Sequence, residues 1–149
     1  MTSITNDPLL KSIIEQLCYG VILIKSGLKS TNEMAFISID NAATTALSNY
    51  IKTNNFSEVN GDDESFNNFD LFLEIIVKQN KIRKFEMKDI KKFHDLRKNL
   101  FRQPDVIITK VVNEYVVLVK ILLAYLYNYR ATKSEWGQMV KKLQKKLGS

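Results

Sequence analysis

An all-α helical bundle is the fold class this chain predicts, and three observations predict it. Every apolar segment longer than ten residues repeats at steps of three and four, the period of a helix face. Only five glycines and two prolines punctuate 149 residues, too few for a sheet full of turns. A hydrophobic share of 45% is enough for one domain with a sizeable core and leaves little room for a second. The expected organisation is an antiparallel bundle of four to five long helices over residues 1–130. A basic amphipathic C-terminal helix over 131–149 is expected to pack on the same domain.

The first helix is capped by Asn6 or Asp7, with Pro8 at its first position, where a missing N–H costs nothing. Leu9, Leu10, Ile13, Ile14, Leu17, Cys18, Val21 and Ile24 form one apolar stripe and carry it to about Lys25 or Gly27. Thr31 or Asn32 caps the second helix, which turns Phe36, Ile37, Ile39, Ala43, Ala46, Leu47, Tyr50 and Ile51 inward and Asn41, Thr45 and Asn49 largely outward. The link of residues 26–30 is short, so these two helices should pack antiparallel. Residues 54–66 have no usable period and many turn formers, which predicts a mobile acidic loop.

A shorter helix is expected from about Asn68 to Asn80 on Phe69, Phe72, Leu73, Ile76 and Val77. Another is expected from about Lys88 to Phe101 on Ile90, Phe93, Leu96 and Leu100. Pro104 ends that pattern, which puts Arg97 in the last turns and Arg102 at or just past the helix end. The segment from Asp105 to about Tyr129 is rich in β-branched residues, but its helical period runs for over twenty residues without a turn signal and decides for a helix. Lys133 to Leu147 sets Trp136, Met139, Val140, Leu143 and Leu147 against lysines, an amphipathic helix able to dock on the bundle or on a partner.

The net charge of +6 is unevenly spread. Residues 78–102 carry ten basic side chains against three acidic ones, the tail from Arg130 onward is basic, and the stretch from Glu58 to Glu74 holds six acids and no base. Such a surface attracts a polyanion at one end, and its bland reading is a set of solvated helix faces. Several functions are poorly supported. One cysteine, Cys18, and one histidine, His94, cannot make a zinc site of the usual spacing, no glycine-rich phosphate loop is present, and Cys18 lies on an apolar face as a core residue would. No metal or cofactor is expected. The longest apolar stretch, Tyr115 to Tyr127, is interrupted by Lys120 and falls short of the roughly 20 residues a bilayer crossing needs. Met1 to Asp7 lacks the features of a signal peptide, and the lone cysteine suits a reducing compartment, so a cytoplasmic protein off the membrane is expected.

The segment that carries chemistry is Arg97-Lys98-Asn99-Leu100-Phe101-Arg102. An arginine, four intervening residues and a histidine at a helix end would put a fixed cation and a titratable imidazole near one phosphodiester. Here the sixth position is Arg102, whose guanidinium stays protonated and cannot act as a general acid or base. His94 stands three residues before Arg97, on nearly the same helix face, as a substitute base or as a structural residue. Asp40, mid-helix beside Asn41, either lines the cleft facing this motif or holds helices together by a hydrogen bond.

The long helices, the stretch Asp40-Asn41-Ala42-Ala43 and the run His94-Asp95-Leu96-Arg97-Lys98-Asn99 before a long apolar helix resemble a HEPN domain over roughly residues 7–130. The resemblance implies a metal-independent endoribonuclease scaffold, of the toxin or antiviral-defence kind, with its site formed across a homodimer. Arg97 matches the family arginine, which would hold the scissile phosphate and stabilise developing charge. Lys98 stands at the following polar position, often asparagine in the family, and Asn99 comes one place late. Arg102 occupies the histidine position, which implies RNA binding without cleavage. The RNA contacts expected around the motif are Lys91, Lys92, His94, Lys98 and Asn99. Other expectations are a homodimer, supported also by the wide apolar faces of the fourth and fifth helices, and an antitoxin or regulatory protein as partner. The competing readings are a non-catalytic RNA- or nucleotide-binding module and a protein-interaction bundle docking through its C-terminal helix.

Overall fold

A computed structural model of the chain describes residues 7–26, 29–54, 69–79, 83–100 and 107–148. Among the described residues the chain is six α-helices and no strand: α1 Pro8–Lys25, α2 Lys29–Thr53, α3 Phe69–Lys78, α4 Lys84–Lys98, α5 Thr109–Tyr127 and α6 Lys133–Gly148. The all-α bundle read from the period is therefore found. The acidic stretch 55–68 and the position of Arg102 lie outside the described residues.

Helix ends follow local chemistry. The Asp7 carboxylate accepts from the Leu9 amide at 3.0 Å with Pro8 next to it, as the sequence predicts. The Thr132 hydroxyl and Glu135 form a reciprocal capping box, with the Thr132 amide donating to Glu135 Oε1 at 2.8 Å and the Glu135 amide donating to Thr132 Oγ1 at 3.1 Å. α5 stops at Asn128, which adopts the left-handed conformation (φ 53°) that asparagine tolerates better than most side chains. Other boundaries differ from the sequence expectation. α2 starts at Lys29 instead of at a Thr31 or Asn32 cap, because Asn32 is buried inside the helix and donates to Thr109 Oγ1 at 3.2 Å. α4 begins near Lys84 and ends at Lys98, so Arg97 is in its last turn.

Contacts along the chain fix the helix directions. Ser26 meets Thr31, a Cβ on Gly20 would meet Ile39 and Ala35, and Ser38 Oγ donates to the Gln16 carbonyl at 2.8 Å, so α1 and α2 are antiparallel. Against α5 the order is Asn32 with Thr109, Asp40 with Tyr115 and Asn49 with Tyr127, so α2 and α5 run in the same direction. α2 is thus the central element, covered by α1, α3, α4 and α5, while α6 lies on α1. That enclosure corrects the expected outward placement of Asn41, Thr45 and Asn49, which are half-buried. The Asn49 amide donates to the Tyr127 hydroxyl at 3.1 Å, and that hydroxyl donates to the Ala46 carbonyl at 2.6 Å.

The core centres on Phe36, Phe93 and Tyr115, whose rings lie 5.1–6.4 Å apart in one edge-on, one tilted and one stacked pair. α5 buries Val112, Tyr115, Val116, Val119, Leu122, Leu123 and Leu126 within one chain and leaves Val117 exposed. The surplus apolar face invoked for a homodimer on α5 is therefore largely used inside the protomer. Trp136 and Val140 seat α6, and the half-buried Lys120 ammonium lies 4.9 Å from the Trp136 ring centre. Burial lowers the Lys120 pKa from its ordinary value. No described helix is long and apolar enough to cross a membrane.

Candidate functional site

The Asp40 carboxylate, fully buried in the middle of α2, organises the site. A buried carboxylate is costly unless its lone pairs are satisfied, and here two neighbouring helices supply the donors. The Tyr115 hydroxyl of α5 donates to Oδ1 at 2.6 Å. His94 Nδ1 of α4 lies 2.9 Å from Oδ1 and 3.1 Å from Oδ2, and Arg97 NH1 donates to Oδ2 at 3.0 Å. A carboxylate only accepts, so the Nδ1 proton of His94 points at it. Arg97 NH1 also donates to Asn41 Oδ1, a very short hydrogen bond. Arginine has no acceptor, so this contact fixes the Asn41 amide with its oxygen toward Arg97 and its nitrogen away from it.

The helical period explains why α4 meets Asp40 twice. His94 and Arg97 are three residues apart, one above the other on the face of α4 that packs on α2. His94 is fully buried and stacks on Phe69 of α3, ring centres 3.7 Å apart and planes 5° from parallel. Tyr115 is fully buried too. Burial first, then the charge and hydrogen bond of Asp40, raise its pKa well above the ordinary value and keep the hydroxyl protonated. Arg97 marks the boundary with solvent, for its side chain is 25% exposed where that of Asp40 is 0%.

Around Arg97 the expected contact residues divide. Lys91 and Lys92 are exposed in the middle of α4 and Lys98 and Asn99 at its end, with Lys91 3.7 Å from Asp70 and Lys98 3.5 Å from Asp95. Exposed pairs of this kind contribute on the order of 1 kcal/mol or less and give way readily to a phosphate. The Lys92 ammonium sits 5.7 Å from the Phe93 ring centre. His94 belongs to the other group. It faces the helix junction, where neither solvent nor a polymer can reach it, so its placement among surface RNA contacts is corrected to a buried polar residue. Arg102 lies outside the described residues.

Of the two alternatives for Asp40, its contacts are those of the helix tie: fully buried, it joins α2 to α4 through His94 and Arg97 and to α5 through Tyr115. Sequence reasoning did not reach the tyrosine in this network. Tyr115 occupies an apolar position of α5, and the one signal for it is a hydroxyl-bearing ring in an otherwise aliphatic stripe. Among the described residues no three His, Cys, Asp or Glu side chains gather as a metal site requires. Cys18 is buried, and burial pushes its thiol up to about 11, which suits a packing role and opposes a nucleophilic one. Comparison of the chain with protein-family models, with curated proteins and with solved structures finds no match.

Proposed function

We propose that this chain is a HEPN-like, ribonuclease-derived scaffold of the toxin or antiviral-defence type that holds RNA by its phosphates and, with Arg102 in the histidine position, does not cut it. The observation that carries the reading is the seating of Arg97. Its guanidinium is tied to Asp40 and Asn41 while a quarter of the side chain stays open at the end of α4. An arginine already held in one geometry loses less conformational entropy when it takes up a phosphate than a free one does. The exposed Lys91, Lys92 and Lys98 add charge along the same helix.

The chemistry of the other residues argues for binding without cleavage. Metal-independent cleavage needs a group that exchanges protons within reach of the phosphodiester. Arg97 and Arg102 cannot exchange them, and His94 is enclosed by Asp40 and Phe69. The resemblance also carries a homodimer with a shared site, a cytoplasmic setting and an antitoxin-like or regulatory protein partner as parts of the same proposal.

The test is fluorescence anisotropy of a labelled single-stranded RNA against salt. Affinity should fall linearly on a log–log plot. Changing Lys91, Lys92 or Lys98 to alanine should make the slope shallower by about 0.7 for each phosphate the protein no longer neutralises. Affinity independent of salt, or no binding at low salt, would refute the reading.

A further inference from the structure

We infer that the groove between α1, α2 and α6 is a nucleobase subsite, which takes one base of a single-stranded RNA whose neighbouring phosphate is held at Arg97. The inference rests on the proposed RNA binding and names where the base goes. The groove has a volume of about 600 Å³, within the size range of small-molecule sites. Asn41 joins it to the Arg97 site, because the same residue accepts from Arg97 and lines the groove. With its oxygen fixed toward the guanidinium, Asn41 has its amide nitrogen to offer to a base carbonyl or ring nitrogen.

The lining suits a base better than a phosphate. Tyr19 and Met34 are 40% and 53% exposed, and with Leu143 and Leu147 of α6 they provide an aromatic face and flat apolar contacts. Ser38 spends its hydroxyl proton on the Gln16 carbonyl, so what it can offer in the lining is an acceptor, and the Glu15 carboxylate is an acceptor as well. A carboxylate repels a phosphate and accepts from an N–H of a base, such as N3–H of uracil. Phosphates are placed outside the groove instead, at Arg97 beside Asn41 and on α6. There the exposed Lys142 and Lys146 each come one residue before a groove-lining leucine. The same lysines weigh against a second copy of the chain as occupant, since a two-fold pairing through this face would bring like charges together.

The experiment compares a ten-nucleotide oligouridine with an abasic ribose-phosphate strand of equal length by anisotropy. The wild-type chain should bind oligouridine about fivefold or more tightly than the abasic strand, the lower end for one base on an aromatic ring. Tyr19→Ala should erase that ratio without changing the abasic affinity, Tyr19→Phe should keep it, and Lys142→Ala with Lys146→Ala should weaken both strands alike. Circular dichroism checks that the variants, changed at exposed positions, remain folded. Equal affinity of the wild type for both strands, or an unchanged ratio in Tyr19→Ala, overturns the subsite and leaves phosphate binding standing. Failure of both strands to bind overturns the subsite and the proposed function together. A Met34→Glu variant that shifts the solution mass from dimer to monomer while RNA affinity is unchanged overturns the subsite in favour of an interface between copies.

Discussion

Replacing Asp40 by asparagine exchanges one oxygen for an NH₂ group and removes one charge at nearly constant volume. The carboxylate receives Tyr115 at 2.6 Å, His94 at 2.9 Å and Arg97 at 3.0 Å. Asparagine has a single carbonyl oxygen, so its amide nitrogen must face at least one of these donors. A hydrogen bond to a charged group contributes about 1.5–3 kcal/mol, and removing one partner of a buried pair costs about 3–5 kcal/mol. Arg97 is a quarter exposed and recovers part of its hydration, so the lower end, about 3 kcal/mol, is the expected destabilisation. For a chain of 149 residues that lowers Tm by about 6–12 °C. Urea unfolding followed by far-ultraviolet circular dichroism measures it, with the slope m unchanged if the variant keeps its fold. A double-mutant cycle with Tyr115→Phe should give a coupling of about 1 kcal/mol or more. A destabilisation below about 1 kcal/mol, or additive effects in the cycle, would show that Asp40 does not hold α2, α4 and α5 together.

Two glycine substitutions should have opposite signs. A Cβ on Gly20 would lie 2.7 Å from Ile39 Cγ1 and 3.3 Å from the Ala35 carbonyl oxygen, so Gly20→Ala forces α1 and α2 apart and costs about 1–3 kcal/mol, offset by up to about 1 kcal/mol of helix propensity. At Gly137 an added Cβ meets nothing within 4 Å, and Gly137→Ala should stabilise by about 0.5–1 kcal/mol, both read from urea midpoints. Cys18, with its thiol pushed up to about 11, should resist a thiol reagent at pH 8 in the folded chain and react promptly in urea, and equal rates would contradict its burial. Burial raises the Tyr115 pKa, so the neutral ring favours the folded state; that contribution is complete below tyrosine's ordinary value near 10 and declines as pH rises above it. Tyr115→Phe should accordingly flatten the alkaline fall in stability, and an unchanged pH profile would count against the assignment.

What the sequence shows of this protein is its periodicity. The stripes on α1, α3, α5 and α6 are readable because each of these helices buries one face against neighbours, and a single-faced helix writes its orientation into its spacing. α2 is the exception. Helices cover it on several sides, so polar residues such as Asp40, Asn41 and Asn49 are enclosed, and a rule that sends polar side chains outward fails there. The site is legible to the same extent. The spacing of His94 and Arg97 places both on one face of α4, and the mid-helix Asp40 beside Asn41 stands out as a candidate partner. The choice between the two roles for His94 depends on Phe69 and Tyr115. The ring of Phe69 closes over the imidazole and the Tyr115 hydroxyl completes the carboxylate, contacts that span 25 and 75 residues. No local pattern encodes pairings at that separation, and both aromatic residues satisfy the apolar period regardless of what else they touch.

The central claim, that this scaffold is a ribonuclease frame lacking its proton-transfer group, is tested most directly by incubating single-stranded and structured RNA with the chain, with Arg102→His, and with Arg102→His carrying Arg97→Ala, all without added metal. RNA should stay intact with the chain as it stands, be cleaved by Arg102→His, and stay intact again once Arg97 is also replaced. Cleavage by the unaltered chain at the rate of the histidine variant, or an inert Arg102→His protein that is folded and dimeric, would contradict that claim.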